Sequence, residues 1–352
     1  MSSRKVTMYT IAAETGLSIA AVSRAFDPHS RLKPEKRQLI LDTAKRLGYV
    51  QNKMASRLSG DAMKIGVLIY GTLEVYYREY VAGIRDAHAE FVDYKVDCDL
   101  RLLDRSRDAL EAAYAVLDEF IAAGVDGVVI NGLSSSEHTE PLRRLADAGI
   151  PFILLDSDVP DSLRSGVSMN DTATAGRMAA QLLSCGMAVC GASTKKTAVF
   201  PADAGNLSQV SLTDSFRAGA AEYGLEVVRI CDTENRTDLA EELLEGLLAD
   251  HPDLGGIYIS SANSMPICHR LRARGLAGKL AVVTSDVFDE LNGCIMDGTV
   301  FATIYQDPFM QARAAFEALY RAAAEGTPIP ERILARPQAV LRSNLELYTK
   351  RH

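Results

Sequence analysis

The sequence lacks any hydrophobic run of the roughly 18 residues that a membrane-spanning helix needs. Its first residues, Met1 to Lys5, also lack the apolar stretch of a secretory signal peptide. We therefore expect a cytoplasmic protein without membrane association. Cysteine is sparse and scattered, so we expect reduced thiols rather than a disulfide framework. The six cysteines are Cys98, Cys185, Cys190, Cys231, Cys268 and Cys294.

Sequence motifs of catalysis are also missing. The chain has no GxGxxG after a predicted strand, no phosphate-binding P-loop, no GxSxG and no HExxH. Its six histidines lack metal-ligand spacing, and Cys185 and Cys190 have no second cysteine pair nearby. These absences predict a protein that is not an enzyme and that uses neither a metal nor a cofactor.

Charge is distributed unevenly along a chain of ordinary globular composition. The 352 residues suffice for about two domains and a small appendage. Hydrophobic residues make up 47% and charged residues 24%, which excludes a disordered, collagen-like or disulfide-scaffold protein. Residues 1–60 contain 11 Lys and Arg against 4 Asp and Glu, so they have a net charge of +7, whereas the remainder has −15. This basic module indicates polyanion binding, although a solvated basic surface explains the charge equally well.

The basic module has the pattern of short helices. Thr7 and Ser18 can cap two helices that are separated by a tight turn at Gly16. Two short helices around such a turn are typical of a helix-turn-helix. Pro34 suits the first turn of a third helix, which is predicted to end near Gly48.

These motifs resemble the N-terminal headpiece of the LacI/GalR family of bacterial repressors. The matching stretches are Val6–Ala12, Gly16–Ser18, Val22–Arg24 and, for the family's hinge region, Leu47–Asn52 with Ala55, Arg57 and Leu58. They occur in the family's order and spacing, and the resemblance continues to about residue 345. It implies a helix-turn-helix DNA-binding headpiece at residues 1–50, a hinge helix or linker at 51–62 and an effector-binding and dimerisation domain at 63–345.

The resemblance also implies which residues contact DNA. The second helix would enter the major groove, where Ile19 and Ala20 read the sequence and Arg24 donates two hydrogen bonds to a guanine. Ser18 and Ser23 would contact phosphates. The full implied set is Thr7, Tyr9, Ser18, Ile19, Ala20, Ser23, Arg24, Arg31, Asn52, Ala55 and Leu58.

Several positions in the basic module have alternative interpretations. Leu58 matches a family leucine that wedges into the minor groove, but packing against the body is the alternative. Arg24 has the alternative of an ordinary surface charge, whereas Val22 and Ala25 are expected to pack in a core. Ala21 stands where relatives commonly have a threonine, so one phosphate contact is expected to be missing.

The rest of the chain alternates apolar strand-like runs with amphipathic helices, which is typical of parallel sheets with helices on both faces. The strands are too numerous for one doubly wound domain, so we expect two lobes with a ligand cleft at the strands' carboxyl ends. The predicted strands are Lys64–Tyr70, Val96–Leu103, Gly127–Asn131, Phe152–Asp156, Gly166–Met169, Ala198–Ala202, Glu226–Ile230, Gly256–Ser260, Ala281–Ser285 and Ala302–Gln306. The first lobe is predicted at about 63–170 and 302–325, and the second at about 171–301 and 326–345.

Polar side chains follow several of these strands, and carboxylates and amides suit a ligand with many hydroxyl groups. The layout resembles the effector domain of the same family, which shares its fold with periplasmic sugar-binding proteins. The effector-binding residues that this implies are Tyr76, Tyr77, Asp156, Asn263, Asp286 and Gln306. Strand-end capping is the alternative role for Asp156, Asn263 and Asp286, and helix packing is the alternative for the two tyrosines.

Two departures from the family pattern concern the ligand. Leu212 stands where relatives usually have an arginine, and Asp171-Thr172 replaces their Asp-Asn pair. The ligand is therefore expected to be less polar than a simple hexose, or differently substituted.

The sequence thus predicts an α/β fold: a two-lobed, periplasmic-binding-protein-like body of parallel sheets, preceded by a small all-α helix-turn-helix N-terminal domain. The predicted function is a transcriptional regulator, a repressor, that binds a pseudo-palindromic operator in double-stranded DNA as a homodimer, with a tetramer left open. A sugar or sugar derivative would control it from the cleft. The alternative is a solute-binding receptor without a DNA role, which the basic module and the missing signal peptide disfavour.

Overall fold

The computed structural model describes residues 7–26, 32–47, 62–71, 74–104, 107–260 and 264–349, including all of their side chains except those of 74–76 and 107–108. The chain forms two compact units, Met1–Asp61 and Ala62–His352. The division falls within the segment predicted as a hinge or linker. Among the described residues, no helix combines the length and the apolar character needed to cross a membrane.

The described part of the first unit is helical. Its helices are α1 (Met8–Thr15), α2 (Ile19–Ala25) and α3 (Pro34–Arg46). The Thr7 hydroxyl accepts a hydrogen bond from the backbone N–H of Thr10 at 3.4 Å, and the Ser18 hydroxyl accepts one from Ala21 at 3.2 Å. The first two helices begin at the predicted caps, because a cap depends on hydrogen bonds within a few residues.

An apolar core holds these helices together. Its members are Ile11 from α1, Val22 and Ala25 from α2, and Ile40 and Ala44 from α3. The core role predicted for Val22 and Ala25 is therefore confirmed. Gly16 ends α1 at a φ of 67°, in the left-handed region that glycine adopts without steric cost.

The second unit is built on two sheets. Its strands are β1 (Met63–Gly71), β2 (Val96–Asp104), β3 (Gly127–Asn131), β4 (Phe152–Leu155), β5 (Gly166–Asn170), β6 (Lys196–Phe200), β7 (Glu226–Ile230), β8 (Gly256–Ile259), β9 (Ala281–Ser285), β10 (Ala302–Tyr305), β11 (Arg332–Ala335) and β12 (Gln338–Val340). The first sheet has the order β11-β5-β4-β3-β1-β2 and the second has β12-β10-β9-β8-β6-β7. Neighbouring strands pair in parallel, except that β12 runs antiparallel to β10.

Helices connect and cover these strands. They are α4 (Glu74–Phe91), α5 (Arg107–Ala123), α6 (Thr139–Asp147), α7 (Thr172–Val189), α8 (Leu207–Glu222), α9 (Thr237–Asp250), α10 (Ser264–Ala273), α11 (Asp289–Met296), α12 (Pro308–Glu325) and α13 (Glu346–Thr349). In β6, Ala198 and Phe200 pack into one apolar core while Val199 packs into another. Successive residues of a strand point to opposite faces, so the second sheet is buried on both sides.

The predicted strands are all present, but two further strands were not predicted. Arg332–Ala335 alternates exposed and partly buried residues at the edge of the first sheet, and Gln338–Val340 has only 3 residues. Neither has the continuous apolar run that marks a buried strand in a sequence.

The predicted lobe boundaries after residue 301 are wrong in two places. Residues 302–325 were assigned to the first lobe, but β10 pairs with β9 in the second sheet. Residues 326–345 were assigned to the second lobe, but β11 pairs with β5 in the first. Helix α12 does pack on the first lobe. It approaches α4 so closely that a Cβ atom added at Gly83 would lie 2.1 Å from the carbonyl oxygen of Phe309. The chain therefore crosses between the lobes after β5, after β10 and after β11.

Candidate functional site

Three aspartates follow strands with left-handed backbone angles. The φ values are 73° at Asp156 after β4, 69° at Asp286 after β9 and 55° at Asp307 after β10. Aspartate is one of the residues that tolerate this conformation. The N–H of Asp156 still donates to the carbonyl of Ser168 at 2.9 Å, and that of Asp286 donates to Ile304 at 2.7 Å. These side chains are thus held at the carboxyl edges of both sheets.

A chain of side-chain hydrogen bonds joins the two lobes at this edge. Gln306 Nε2 donates to Asp286 Oδ2 at 2.8 Å, and Asn170 Nδ2 donates to Gln306 Oε1 at 3.1 Å. The carbonyl of Gln306 also accepts from Gln311 Nε2 at 2.9 Å, which fixes its position. Asn170 ends β5 of the first sheet, whereas Asp286 and Gln306 follow strands of the second. The structure therefore brings together the predicted pair Asp286 and Gln306.

The Asp286 carboxyl has an unusual proton affinity, because its pKa is raised to about 8. Desolvation is the main cause, the carboxylates of Glu79 and Asp156 add to it, and the hydrogen bond from Gln306 opposes it. The surroundings of Asp286 therefore favour its protonated form more strongly than water does. A carboxyl perturbed by burial and specific neighbours at a cleft edge marks a candidate binding site.

Two shielded oxygen atoms beside this chain of hydrogen bonds are unsatisfied within the described residues. Asp286 Oδ1 and Asn170 Oδ1 are shielded from solvent and have no hydrogen-bond partner within the described part of the chain. Leaving a buried acceptor unsatisfied costs about 1–3 kcal/mol. A ligand that donates hydrogen bonds at both atoms would remove that cost.

Further hydrogen bonds link the lobes at the start of α8. Ser157 Oγ donates to Asn206 Oδ1 at 3.3 Å, and Ser208 Oγ donates to the carbonyl of Asp156 at 2.6 Å. Asn206 is also the N-cap of α8, because its Oδ1 accepts from the backbone N–H of Ser208 at 2.9 Å. The two lobes are therefore in direct contact beside Asp156.

Other polar residues that follow strands have structural roles. Asp171 and Asp307 cap α7 and α12, since each carboxylate accepts a backbone N–H of the first helical turn. Asp158 forms an ion pair with Arg164, whose Nη2 lies 2.6 Å from Oδ2. Capping therefore explains Asp171 and Asp307, whereas the Asp286 side chain accepts a hydrogen bond from the side chain of Gln306.

Helix α2 divides into an exposed face and a core face. The exposed residues are Ile19, Ala20, Ser23 and Arg24, and the buried ones are Ala21, Val22 and Ala25. Ile19 is 40% exposed although it is a large apolar residue, and Tyr9 on α1 is 71% exposed. The Arg24 Nε donates to the carbonyl of Ala20 at 3.1 Å. The residues predicted to read DNA on α2 thus share one accessible face.

A family model described as "Periplasmic binding protein domain" matches residues 65–328, which is most of the chain. The chain belongs to the periplasmic binding protein domain family. Catabolite control protein A of Priestia megaterium is 31% identical over 154 residues, a match that covers 43% of this chain and 44% of that relative. The alignment thus spans less than half the length of that curated relative.

Solved structures share the fold of the periplasmic binding protein domain. GanP, a glucose-galactose binding protein from Geobacillus stearothermophilus, aligns with a TM-score of 0.70 at 20% identity, covering 81% of this chain and 99% of that chain. A Bacteroides fragilis protein assigned as a LacI transcriptional regulator aligns with a TM-score of 0.71 at 18% identity, covering 82% of this chain and 100% of that chain. The two-lobed α/β body predicted from the sequence is confirmed, whereas the helix-turn-helix domain stays a prediction.

The predicted effector residues have different positions in the periplasmic binding protein domain. Asp156, Asp286 and Gln306 lie at the carboxyl edges of the two sheets, where hydrogen bonds join the lobes. Tyr77 packs closely against Gly71 at the end of β1. A Cβ atom added at Gly71 would lie only 1.4 Å from the Oη of Tyr77. It also lines a groove between α4 and β2. A stacking role for Tyr77 stays a prediction.

The remaining predicted residues are outside the described part of the chain. Asn263, the side chain of Tyr76, and Arg31, Asn52, Ala55 and Leu58 belong to this group. Their predicted roles stay predictions.

Sequence reasoning missed several cleft residues of the periplasmic binding protein domain. Nothing in the sequence distinguishes Glu79 from the other acidic residues on helices. Its effect on the pKa of Asp286 identifies it as a neighbour of the candidate site. Asn206 could have been recognised in the sequence, since an asparagine directly before a helix is a common N-cap, and Ser208 lies in the first turn of that helix. Asn170 directly follows the predicted strand Gly166–Met169, but it does not belong to the effector residues that the family resemblance implied.

The two departures at Leu212 and Ala21 are explained by packing. Leu212 is 1% exposed and lies in the apolar core between α7, α8 and the second sheet with Phe216. Ala21 is 9% exposed on the core face of α2. Leu212 therefore contributes to an apolar core, and Ala21 is buried on the helix face that packs inward.

Proposed function

We propose that the chain is a cytoplasmic, DNA-binding transcriptional regulator, a repressor, that is controlled by a sugar-like effector in the interlobe cleft. It would bind a pseudo-palindromic operator as a homodimer and would catalyse no reaction. The observation that carries this proposal is the presence of two units on one chain: a basic helical unit in which α2 has an exposed face that includes Ser23 and Arg24, and a periplasmic binding protein domain.

The DNA-binding part rests on the chemistry of the first unit. Residues 1–60 have a net charge of +7, and attraction to phosphates supplies most of the nonspecific affinity for DNA. Ser23 and Arg24 on the exposed face of α2 offer a hydroxyl and a guanidinium, which bind phosphates and guanine edges. The partial similarity to catabolite control protein A supports a regulatory role.

The effector part rests on the cleft edge of the second unit. Asp286, Gln306 and Asn170 come from both sheets, so a ligand held by them would contact both lobes at once. Such a ligand changes the balance between lobe arrangements only if it binds one arrangement more tightly. We propose that this difference is transmitted to the DNA-binding unit.

A solute-binding receptor without a DNA role is the second candidate. The fold shared with a glucose-galactose binding protein favours it. It leaves the basic helical unit without a role, so we rank it second. The two candidates differ in whether the chain binds a specific duplex.

Replacement of Arg24 by alanine is expected to reduce affinity for the operator about 10- to 100-fold, because a bidentate arginine–guanine contact contributes about 1–3 kcal/mol of discrimination. Affinity for random duplex DNA should change little. The operator is first selected from a random duplex pool with the full chain, and both affinities are then measured at one salt concentration.

Arg143→Ala is the matched control, because Arg143 is an exposed arginine on α6 of the second unit. It should leave both affinities unchanged. If the selection enriches no sequence, the regulator proposal fails and the receptor becomes the better candidate. If Arg24→Ala weakens operator and random DNA equally, Arg24 is a phosphate contact rather than a base contact.

A further inference from the structure

Three carboxyl groups from three separate elements surround the cleft edge. Glu79 comes from α4, Asp156 follows β4 and Asp286 follows β9, so the first lobe supplies two and the second supplies one. Glu79 and Asp156 both raise the pKa of Asp286, so each of them lies within electrostatic reach of that carboxyl. The Glu79 carboxylate also accepts a hydrogen bond from the hydroxyl of Tyr305, at the end of β10.

A second, independent feature points to the kind of ligand. Asn170 is 2% exposed, yet its Oδ1 has no hydrogen-bond partner within the described residues, and the same holds for the shielded Oδ1 of Asp286. Gln306 lies between them and already uses its Nε2 on Asp286 and its Oε1 on Asn170. The cleft therefore has an unused acceptor at Asn170 Oδ1, and a second at Asp286 Oδ1 once that carboxyl is ionised, so it suits a ligand that supplies a positive charge together with hydrogen-bond donors.

We propose that the cleft binds an amine-bearing sugar, with its ammonium group at Asp286 and its hydroxyl groups donating to the neighbouring acceptors. This inference rests on the proposed function of the cleft as an effector site, and it specifies the chemical class of the effector. An ammonium group supplies three donors and no acceptor, which matches the bonding capacity left at this edge.

The charge of the surroundings favours an ammonium over a neutral hydroxyl. The carboxylates of Glu79 and Asp156 disfavour a negative charge on Asp286, and a cation bound at Asp286 offsets that repulsion. The remainder of the chain after residue 60 has a net charge of −15, which attracts cations toward its clefts. A carboxylate or phosphate on the ligand would instead face like charge.

An organic cation also fits better than a metal ion. Within the described residues, no group of three or more His, Cys, Asp or Glu side chains is arranged to hold a metal. The carboxyl groups are accompanied by amides and hydroxyls from both lobes, including Asn170, Gln306 and Tyr305. An extended ligand with one charged end and several hydroxyl groups can contact all of these, whereas a single ion cannot.

The test compares matched sugars on the full chain at about pH 7. D-Glucosamine, D-galactosamine and D-mannosamine are titrated by calorimetry beside their neutral parent hexoses and their N-acetyl derivatives. At least one amino sugar is expected to bind about 10- to 100-fold more tightly than its parent and its N-acetyl derivative, since a hydrogen bond to a charged group contributes more than a neutral one. Asp286→Asn should remove most of this preference.

Variants with a defined charge change complete the test. Glu79→Gln should weaken the preference for amino sugars by a smaller factor than Asp286→Asn does. Because this variant keeps Asp286, it also tests the inference if Asp286→Asn fails to fold. Asp253→Asn is the matched control, because Asp253 is an exposed carboxylate paired with Lys196 at 2.8 Å. It should leave every affinity unchanged.

Two of the three contrary outcomes separate this inference from the proposed function. If a neutral hexose or an N-acetyl sugar binds as tightly as its amino sugar, the ammonium inference is wrong and the sugar-responsive regulator stands. If calcium chloride alone binds and is lost in Asp286→Asn, the cleft is a metal site and the ammonium inference is wrong. If no compound binds, both the inference and the sugar-binding part of the proposed function are overturned.

Discussion

Raising the pH from about 5 to about 8 is expected to destabilise the unliganded chain through Asp286. Its pKa is raised to about 8 in the folded chain by desolvation and by Glu79 and Asp156, whereas in the unfolded chain it returns to about 3.9. Between these values the folded state binds more protons than the unfolded state. Each pH unit in this window therefore lowers the free energy of unfolding by up to about 1.4 kcal/mol.

Asp286→Asn isolates this contribution, because asparagine is neutral at every pH and nearly isosteric. The free energy of unfolding of Asp286→Asn, relative to the parent, should increase with pH across the window and level off above about pH 8. The measurement is urea unfolding followed by circular dichroism at a series of pH values. Circular dichroism is suitable because the chain contains no tryptophan for fluorescence.

Asp253→Asn serves as the control for the pH experiment. The pKa of Asp253 is lowered, chiefly by its hydrogen bond with Lys196, so this group is ionised in both states above about pH 5. The difference between this variant and the parent should therefore stay constant across the window. Parallel profiles for Asp286→Asn and the parent would contradict a shielded, protonated Asp286.

Raising the salt concentration from 50 to 200 mM is expected to weaken binding to duplex DNA by about 10³-fold or more. The physical reason is the release of counterions from DNA, which becomes less favourable as salt increases, with a slope of about −0.9 per phosphate contact. Each copy brings a unit with a net charge of +7, and a dimer brings two. About six or more phosphate contacts per dimer are therefore expected.

The salt series separates a DNA-binding unit from a merely solvated basic surface. Affinity for operator and for random duplex is measured at several salt concentrations and plotted as log K against log salt. Arg143→Ala should leave the slope unchanged, whereas replacing a phosphate-contacting Lys or Arg reduces it by about one. A slope near zero would show that the charge of residues 1–60 does not serve phosphate binding.

The sequence alone predicted the features that depend on neighbours along the chain. The caps at Thr7 and Ser18 require only an oxygen and a backbone N–H three residues away. The core face of α2, with Val22 and Ala25 buried, follows from the helical period. The strands were predicted for the same reason, because a buried parallel strand is a continuous apolar run.

The assignment of segments to lobes required the tertiary structure. β10 has the apolar run of a buried strand, but nothing in that run states which sheet it joins, and only its register with β9 decides this. β11 lies half exposed at a sheet edge, and its hydrophobic pattern is too weak to predict a strand from the sequence. Pairing between strands depends on residues far apart in sequence, so a local pattern cannot specify it.

The candidate site likewise has features that the sequence predicted and features that only the tertiary structure decided. The sequence by itself determined that Asp156, Asp286 and Gln306 follow strands and so lie at a carboxyl edge of a sheet. The tertiary structure decided that Gln306 donates to Asp286 and that Asp171 and Asp307 cap helices. It also brought Glu79 close enough to Asp286 to raise the pKa of that carboxyl. It also decided that the pKa of Asp286 is raised, because desolvation and the field of neighbouring carboxylates arise only where distant segments meet.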